Sequence, residues 1–296
     1  MAIRVTQTML NNGMMRNLSN SMRNMDTLQE QLSSGRKINR PSDDPVIATR
    51  GMYYRSSLIE NEQFQRNVSE AQSWMELSDK SLDEANSILQ RVRELVVASG
   101  NGGLAEDSLG AIAEEISQIK EHLGNVANQT IGGRYIFAGT DTKNPPYDYA
   151  SGNFVNTNYS DILLEMNKQI FLPINVNGQQ VFNFESNGNN VFKVLDNIVA
   201  NLQSGNNATE HLGDLDKQLD NLLAVRATLG ARINRIELIK DRLANEETNV
   251  TKLMSDNEDA DVAKVITELK MQENVHRAAL GAGSRIIQPT LLDFLR

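Results

Sequence analysis

The sequence predicts a mainly α fold: an elongated antiparallel helical bundle carrying a small inserted β-rich domain. Three observations lead there. Apolar residues recur at alternating steps of three and four over long stretches on both sides of the chain's middle. Aromatic residues make up only 5% of 296 positions, thin for one compact core of this size but enough for helices packed side by side. Those aromatics also cluster, with eight of the fifteen between residues 141 and 192, where the helical rhythm lapses.

Taken in order, the chain opens with Met15, Leu18, Met22, Met25 and Leu32 in three-four steps, Gln29 filling one slot and Leu28 beside it. A short helix with so few apolar residues is marginal alone in water. The stretch LSSGRKINRPSDDPVIATR, Leu32 to Arg50, follows it. It admits a phosphate loop, a cation site or a corner between helices. A phosphate cradle needs several glycines and a following Lys and Ser/Thr, whereas here there is one glycine and a proline where amides are wanted. Asp43-Asp44 lacks neighbours at calcium-loop spacing. The corner fits best: Gly35 suits a helix C-terminus, Ser42, Asp43 and Asp44 offer capping side chains, and Pro45 suits a first helical turn.

The next helix has the steadiest seam: Phe64, Val68, Ala71, Met75, Ser78, Leu82, Ala85, Leu89, Val92 and Val96, nine of ten apolar or alanine. Sustained spacing of this kind marks a helix with a narrow buried stripe. From Leu58 to Ala98 it would span about 60 Å at 1.5 Å per residue. Gly100, Gly102 and Gly103 then terminate it. Leu109, Ile112, Ile116, Ile119, Leu123 and Val126 continue the rhythm in a second helix. The longest run is later, from Leu212 to Met254, with Arg226, Lys240 and Glu247 interrupting ten apolar slots. Polar seam residues of that sort set register, and three such stripes are most simply buried against one another.

Between these helices Ile170, Leu172, Ile174 and Val176 alternate in strand period. Asn177-Gly178 then signals a two-residue hairpin turn before Val181 to Phe184. The predicted organisation is therefore terminal helices at 1–40 and 256–296, a helical rod at 41–140 and 191–255, and a β-rich insert at 141–190 that stands to the side of its host. The C-terminal segment holds Leu269, Leu280, Ile286, Ile287, Leu291, Leu292, Phe294 and Leu295. Paired with the N-terminal helix it still leaves apolar surface open, which on a soluble chain implies a partner. Both ends are expected to order only in an assembly.

The chemistry is bounded mostly by exclusion. Without cysteine there are no disulfides, thiolate sites or cysteine nucleophiles. His122, His211 and His276 share no metal motif, and nucleophile-elbow and nucleotide-loop patterns are missing. No catalytic residue, cofactor or metal ligand is therefore expected. Trp74 flanks the first seam and reads as core. The net charge of −9 argues against a whole-molecule nucleic-acid binder. It is unevenly spread: residues 1–59 carry eight Lys/Arg against four Asp/Glu, the remainder twenty-one against thirty-four. No run reaches the ~18–20 apolar residues of a membrane helix, nor is the start, MAIRVTQTML, apolar enough for a secretory signal.

LSSGRKINRPSDDPVIAT, the beginning MAIRVTQTML and the ending PTLLDFLR together resemble the flagellin-like proteins of the bacterial flagellum. Pro41 and Pro45, flanking the Asp-Asp pair, and the wording of both ends fit the hook–filament junction members better than filament flagellins. The resemblance covers roughly residues 1–140 and 210–296. It implies a structural protein exported through the flagellar type III apparatus, without a cleaved signal, to the cell exterior. Implied partners are the first hook-associated protein, flagellin, further copies in a ring, and an export chaperone on the C-terminal helix, with neither nucleic acid nor membrane. Leu18, Met22, Met25, Leu28, Leu32, Leu280, Ile286, Ile287, Leu291, Leu292, Phe294 and Leu295 are the expected assembly residues. Gly35, Pro41, Ser42, Asp43, Asp44 and Pro45 form the elbow. The alternatives are a filament flagellin, or a cytoplasmic coiled-coil binding module with the same heptads.

Overall fold

A computed structural model describes residues 7–100, 106–186 and 188–287. Among the described residues are seven α-helices: α1 (Gln7–Ser34), α2 (Pro45–Ser99), α3 (Glu106–Ala127), α4 (Gly178–Val181), α5 (Val191–Gln203), α6 (Leu212–Glu258) and α7 (Val262–Ile287). Three antiparallel strand pairs lie between α3 and α4. They are β1 (Thr130–Ile131) with β2 (Arg134–Tyr135), β3 (Tyr147–Asp148) with β4 (Asn153–Phe154), and β5 (Leu163–Asn167) with β6 (Ile170–Pro173). The fold is mainly α with a small β-rich region, and it divides into two compact units, residues 1–60 with 246–296 and residues 61–245.

In the unit spanning 61–245, α2 and α6 run side by side in opposite directions. Cross-helix bonds fix the order: Arg93 Nε to Asp216 at 2.7 Å, Arg226 to Asp79 and Asp83 at 2.9 and 2.6 Å, and Asn61 Nδ2 to the Leu243 carbonyl at 3.1 Å. The α3 helix lies antiparallel to α2 through Arg91–Glu115 and His122–Glu84. The predicted stripe is the core. Val68, Ala71, Met75, Ser78, Leu82, Ala85, Leu89, Val92 and Val96 are all buried on α2, facing Leu215, Leu219, Leu222, Leu229, Ile236 and Leu243 of α6. Each fully buried aliphatic side chain contributes about 1.5–3 kcal/mol. A partly exposed ion pair such as Arg226–Asp79 contributes about 0–1 kcal/mol. Apolar burial thus holds these helices together, and Arg226, sitting in the stripe, selects which turns face each other.

The strand region is not a separate body within this unit. Tyr147, Phe154, Met166, Leu172, Ile174 and Phe182 belong to one continuous hydrophobic cluster with α2, α3, α5 and α6. Aromatic rings carry much of that junction, with Phe137 edge-on to Phe182 at 5.1 Å and Tyr147 tilted on Phe192 at 4.7 Å. On α3, Gly124 leaves room for the Tyr147 ring, which a Cβ would overlap.

The expected hairpin at Asn177-Gly178 is not there. The actual β5–β6 turn is at Lys168-Gln169, with Gln169 at φ 63°. Asn177 instead has φ −77° and caps α4, its side chain accepting from Gln179 N at 2.9 Å. A type I′ turn needs positive φ at both central residues, and tertiary contacts withhold it. Gly178 N donates to the Phe137 carbonyl at 3.1 Å, and the bare Cα fits against that carbonyl and the Phe154 ring. Asparagine serves both turn and cap equally well, so local sequence cannot choose.

In the other unit, α1 and α7 pair antiparallel. Gln272 Nε2 donates to Ser21 Oγ at 3.1 Å, and Gly283 lies against Met14. The first turns of α2 pack beside the last turns of α6, with Asn257 Nδ2 donating to the Ile47 carbonyl at 3.0 Å.

Candidate assembly surface and its corner

The corner between α1 and α2 is built mainly from local capping and one long-range clasp. Gly35 adopts φ +69°, the left-handed conformation that glycine takes without steric cost, and its N–H closes α1 on the Gln31 carbonyl at 2.9 Å. Asp44 caps α2, its Oδ1 accepting from Val46 N at 2.9 Å and Ile47 N at 3.1 Å. Pro45 occupies the first helical position, where its missing N–H costs nothing. Asp43 Oδ2 accepts from Arg40 N at 2.9 Å and Asn39 N at 3.2 Å. Those two amides, Arg40's first, hold the Asp43 carboxyl below the ordinary carboxylate range. Each aspartate therefore has one carboxylate oxygen accepting from two backbone N–H groups. Among the described residues no cluster of three His or acidic groups suits a metal ion.

The clasp joins this corner to a second one, between α6 and α7. Arg36 and Asp259 form an isolated antiparallel bridge. Lys37 N donates to the Glu258 carbonyl at 2.6 Å, and Ala260 N donates to the Gly35 carbonyl at 2.8 Å. Lys37 Nζ adds a bond to the Asp256 carbonyl at 2.7 Å. Behind it, the buried Glu258 side chain pairs with Arg55 and lies directly on Gly51 of α2. Asp261 then caps α7 through Lys264 N at 3.1 Å. None of Arg36, Gly51, Arg55 or Glu258 was flagged in the sequence as a set. Their partners lie some two hundred positions away, and a lone helical glycine was the sole local trace.

The terminal helices divide the expected assembly residues into two groups. Leu18, Met25 and Leu28 are half-buried and share the helix face of buried Ser21, turned toward α7. Met22 and Leu32 on α1, and Leu280 on α7, remain exposed, Met22 at 59% and Leu280 at 50%. They are accompanied by Met9, Leu10 and Met15 on α1 and by Ile266, Met271 and Val275 on α7, all exposed. Ile286 and Ile287 fall in the last turn of α7, but their side chains are outside the described set, and Leu291, Leu292, Phe294 and Leu295 lie outside the described residues. Two helices carrying a broad apolar face each, and burying only one side against each other, make a surface suited to further helices rather than to water. No helix among the described residues is long and apolar enough to cross a membrane.

Long terminal helices, a clasped double corner and a β-rich region between helices define a structural assembly protein. The bacterial flagellin N-terminal helical region matches residues 5–142, and the bacterial flagellin C-terminal helical region matches residues 212–295. The chain belongs to the flagellin family, structural proteins of the bacterial flagellum.

Within that family it is similar to hook-associated protein 3 over nearly its whole length. The flagellar hook-associated protein 3 of Salmonella typhimurium is 29% identical over 302 residues, covering 94% of this chain and 95% of the relative. The flagellin of Bacillus subtilis is also 29% identical, over 273 residues and somewhat less of both chains, 89% and 88%. Among solved structures, the flagellar junction protein FlgL of Legionella pneumophila shares the fold at a TM-score of 0.58 and 17% identity, covering 71% of this chain and all of that one. The cytoplasmic coiled-coil module is thereby set aside.

Proposed function

We infer that this protein is a structural junction element of the flagellum, connecting the hook, through the first hook-associated protein, to the flagellin filament. The observation that carries the reading is the similarity to hook-associated protein 3 over 94% of this chain and 95% of that relative. The exposed apolar faces of α1 and α7 support it. They are the surfaces on which neighbouring subunits, the first hook-associated protein below and flagellin above would pack in a ring of copies. The C-terminal helix would be covered by an export chaperone before the chain leaves the cell through the type III apparatus. The function is mechanical and needs no catalysis. In this reading the corner at 35–45 is the elbow between a terminal helix ordered by assembly and a helix folded beforehand.

A seeding experiment tests it. The protein is added to sheared filaments and to hook fragments bearing the first hook-associated protein, then viewed by electron microscopy. Capping of hook fragments without growth of long filaments is the expected outcome. Long filaments would make it a flagellin, and binding to neither would overturn the junction assignment.

A further inference from the structure

Five of the chain's eleven methionines, Met9, Met14, Met15, Met22 and Met25, lie on α1. They do not share one environment. Met14 lies against Gly283 of α7, and Met25 is half-buried on the face turned toward that helix. Met9, Met15 and Met22 are instead 57%, 62% and 59% exposed, and Met271 of α7 is 60% exposed. Met15 and Met22, seven residues apart, fall within about 20° of each other around the helix. Leucine would supply comparable apolar area and helix propensity at these positions. What methionine adds is a thioether, which is adaptable in contact and open to oxidation.

The chain has no cysteine and its one tryptophan, Trp74, is buried, so an attacking peroxide meets exposed thioethers first. The sulfur attacks one peroxide oxygen. An S–O bond forms as the O–O bond breaks, the sulfur gives up two electrons, and the other oxygen leaves as water with both protons. The product is a polar, chiral sulfoxide. On a free helix its oxygen is satisfied by water. On a face packed against apolar side chains it has no donor, and an unpaired polar group there opposes burial. Met75 and Met166, fully buried in the other unit, are out of reach of the same reagent.

We propose that Met9, Met15, Met22 and Met271 are a redox-sensitive modification site, at which peroxide acting on the free chain produces sulfoxides that bar the terminal helices from assembly. A dithiol reductase reverses the modification, returning the thioether with a disulfide and water. The inference rests on the junction reading, which makes these helix faces the packing surface, and adds a regulation to it.

The test treats the full chain with hydrogen peroxide, reads each methionine by peptide mass spectrometry, and seeds the product on hook fragments bearing the first hook-associated protein. Met9, Met15, Met22 and Met271 should each gain one oxygen, as should Met52, exposed on α2, while Met75 and Met166 stay unmodified. The concentration needed to cap half the fragments should rise at least tenfold, and a methionine sulfoxide reductase should restore it. A variant carrying Met9→Leu, Met15→Leu, Met22→Leu and Met271→Leu should cap equally well before and after peroxide, although Met52 is still oxidised. Equal capping by treated and untreated wild type would overturn the proposal. So would failure of the reductase to restore capping, or a loss in the treated variant as large as in treated wild type. Untreated wild type that caps nothing would overturn the junction reading itself, and the proposal with it.

Discussion

The carboxylate of Glu258, at the end of α6, rests directly on the Cα of Gly51 in α2, and a Cβ there would overlap Oε1 outright. Glu258 is 5% exposed and its charge is answered by Arg55. The pair brings the beginning of α2 against the end of α6, next to the corners that lead to α1 and α7.

Forcing a methyl into packed space at Gly51→Ala costs about 1–3 kcal/mol. Less the ~1 kcal/mol that alanine gains over glycine in a helix, the net destabilisation should be roughly 0–2 kcal/mol. Glu258→Ala removes the obstruction, so the double variant should be more stable than the two single effects predict. Chemical denaturation of the four proteins decides it. Strict additivity would mean that the close approach is not what requires glycine.

Asp44→Ala should cost about 1 kcal/mol by removing the α2 cap. The loss should be local, seen as faster hydrogen exchange at Val46 and Ile47, whose amides Asp44 receives. Pro45→Gly acts differently, freeing the first turn without removing an acceptor, and should raise protease sensitivity across 35–45. Unchanged exchange and cleavage in both variants would mean that neither residue shapes the corner.

Asp43 has a lowered pKa because the Arg40 and Asn39 amides favour its ionised form. The sign follows from linkage. A depressed folded pKa gives a stabilising contribution present above the unfolded value of about 3.9. That contribution is lost as pH falls through the folded midpoint. An NMR titration of the Asp43 carboxyl should give a midpoint under that reference, with the Arg40 amide shifting in step. Asp43→Asn should abolish the coupled shift. A midpoint at or above the reference would contradict the capped geometry.

Gly124→Ala should displace Tyr147 and with it the β3–β4 pair, since the ring fills the space a Cβ needs. The expected cost is about 1–3 kcal/mol. The Asn128 side chain, which donates to the Tyr147 carbonyl and accepts from its amide at 2.9 Å each, would loosen too. Thermal unfolding followed by tyrosine fluorescence reads both. A wild-type melting temperature would show that Tyr147 has another place to go.

Helices and corner were legible because their signals are local. The stripe from Val68 to Val96 is buried as its spacing requires, and Gly35, Asp44 and Pro45 do the capping that their chemistry suits. Ser42, in contrast, was one of three capping candidates, and the α2 cap fell to Asp44. Asn177-Gly178 misled for the opposite reason. Its two neighbours in space, Phe137 and Phe154, are more than twenty positions away and decide the backbone angles there.

By itself, then, the sequence determined the helical class of this protein, its stripes, its caps and its place in the flagellin family, because period and capping chemistry act within a few residues. Only the tertiary structure decided that Glu258 meets Gly51 and that Arg36 bridges Asp259. Those pairings depend on which surfaces the folded chain brings together, and neither period nor composition encodes a partner two hundred residues away.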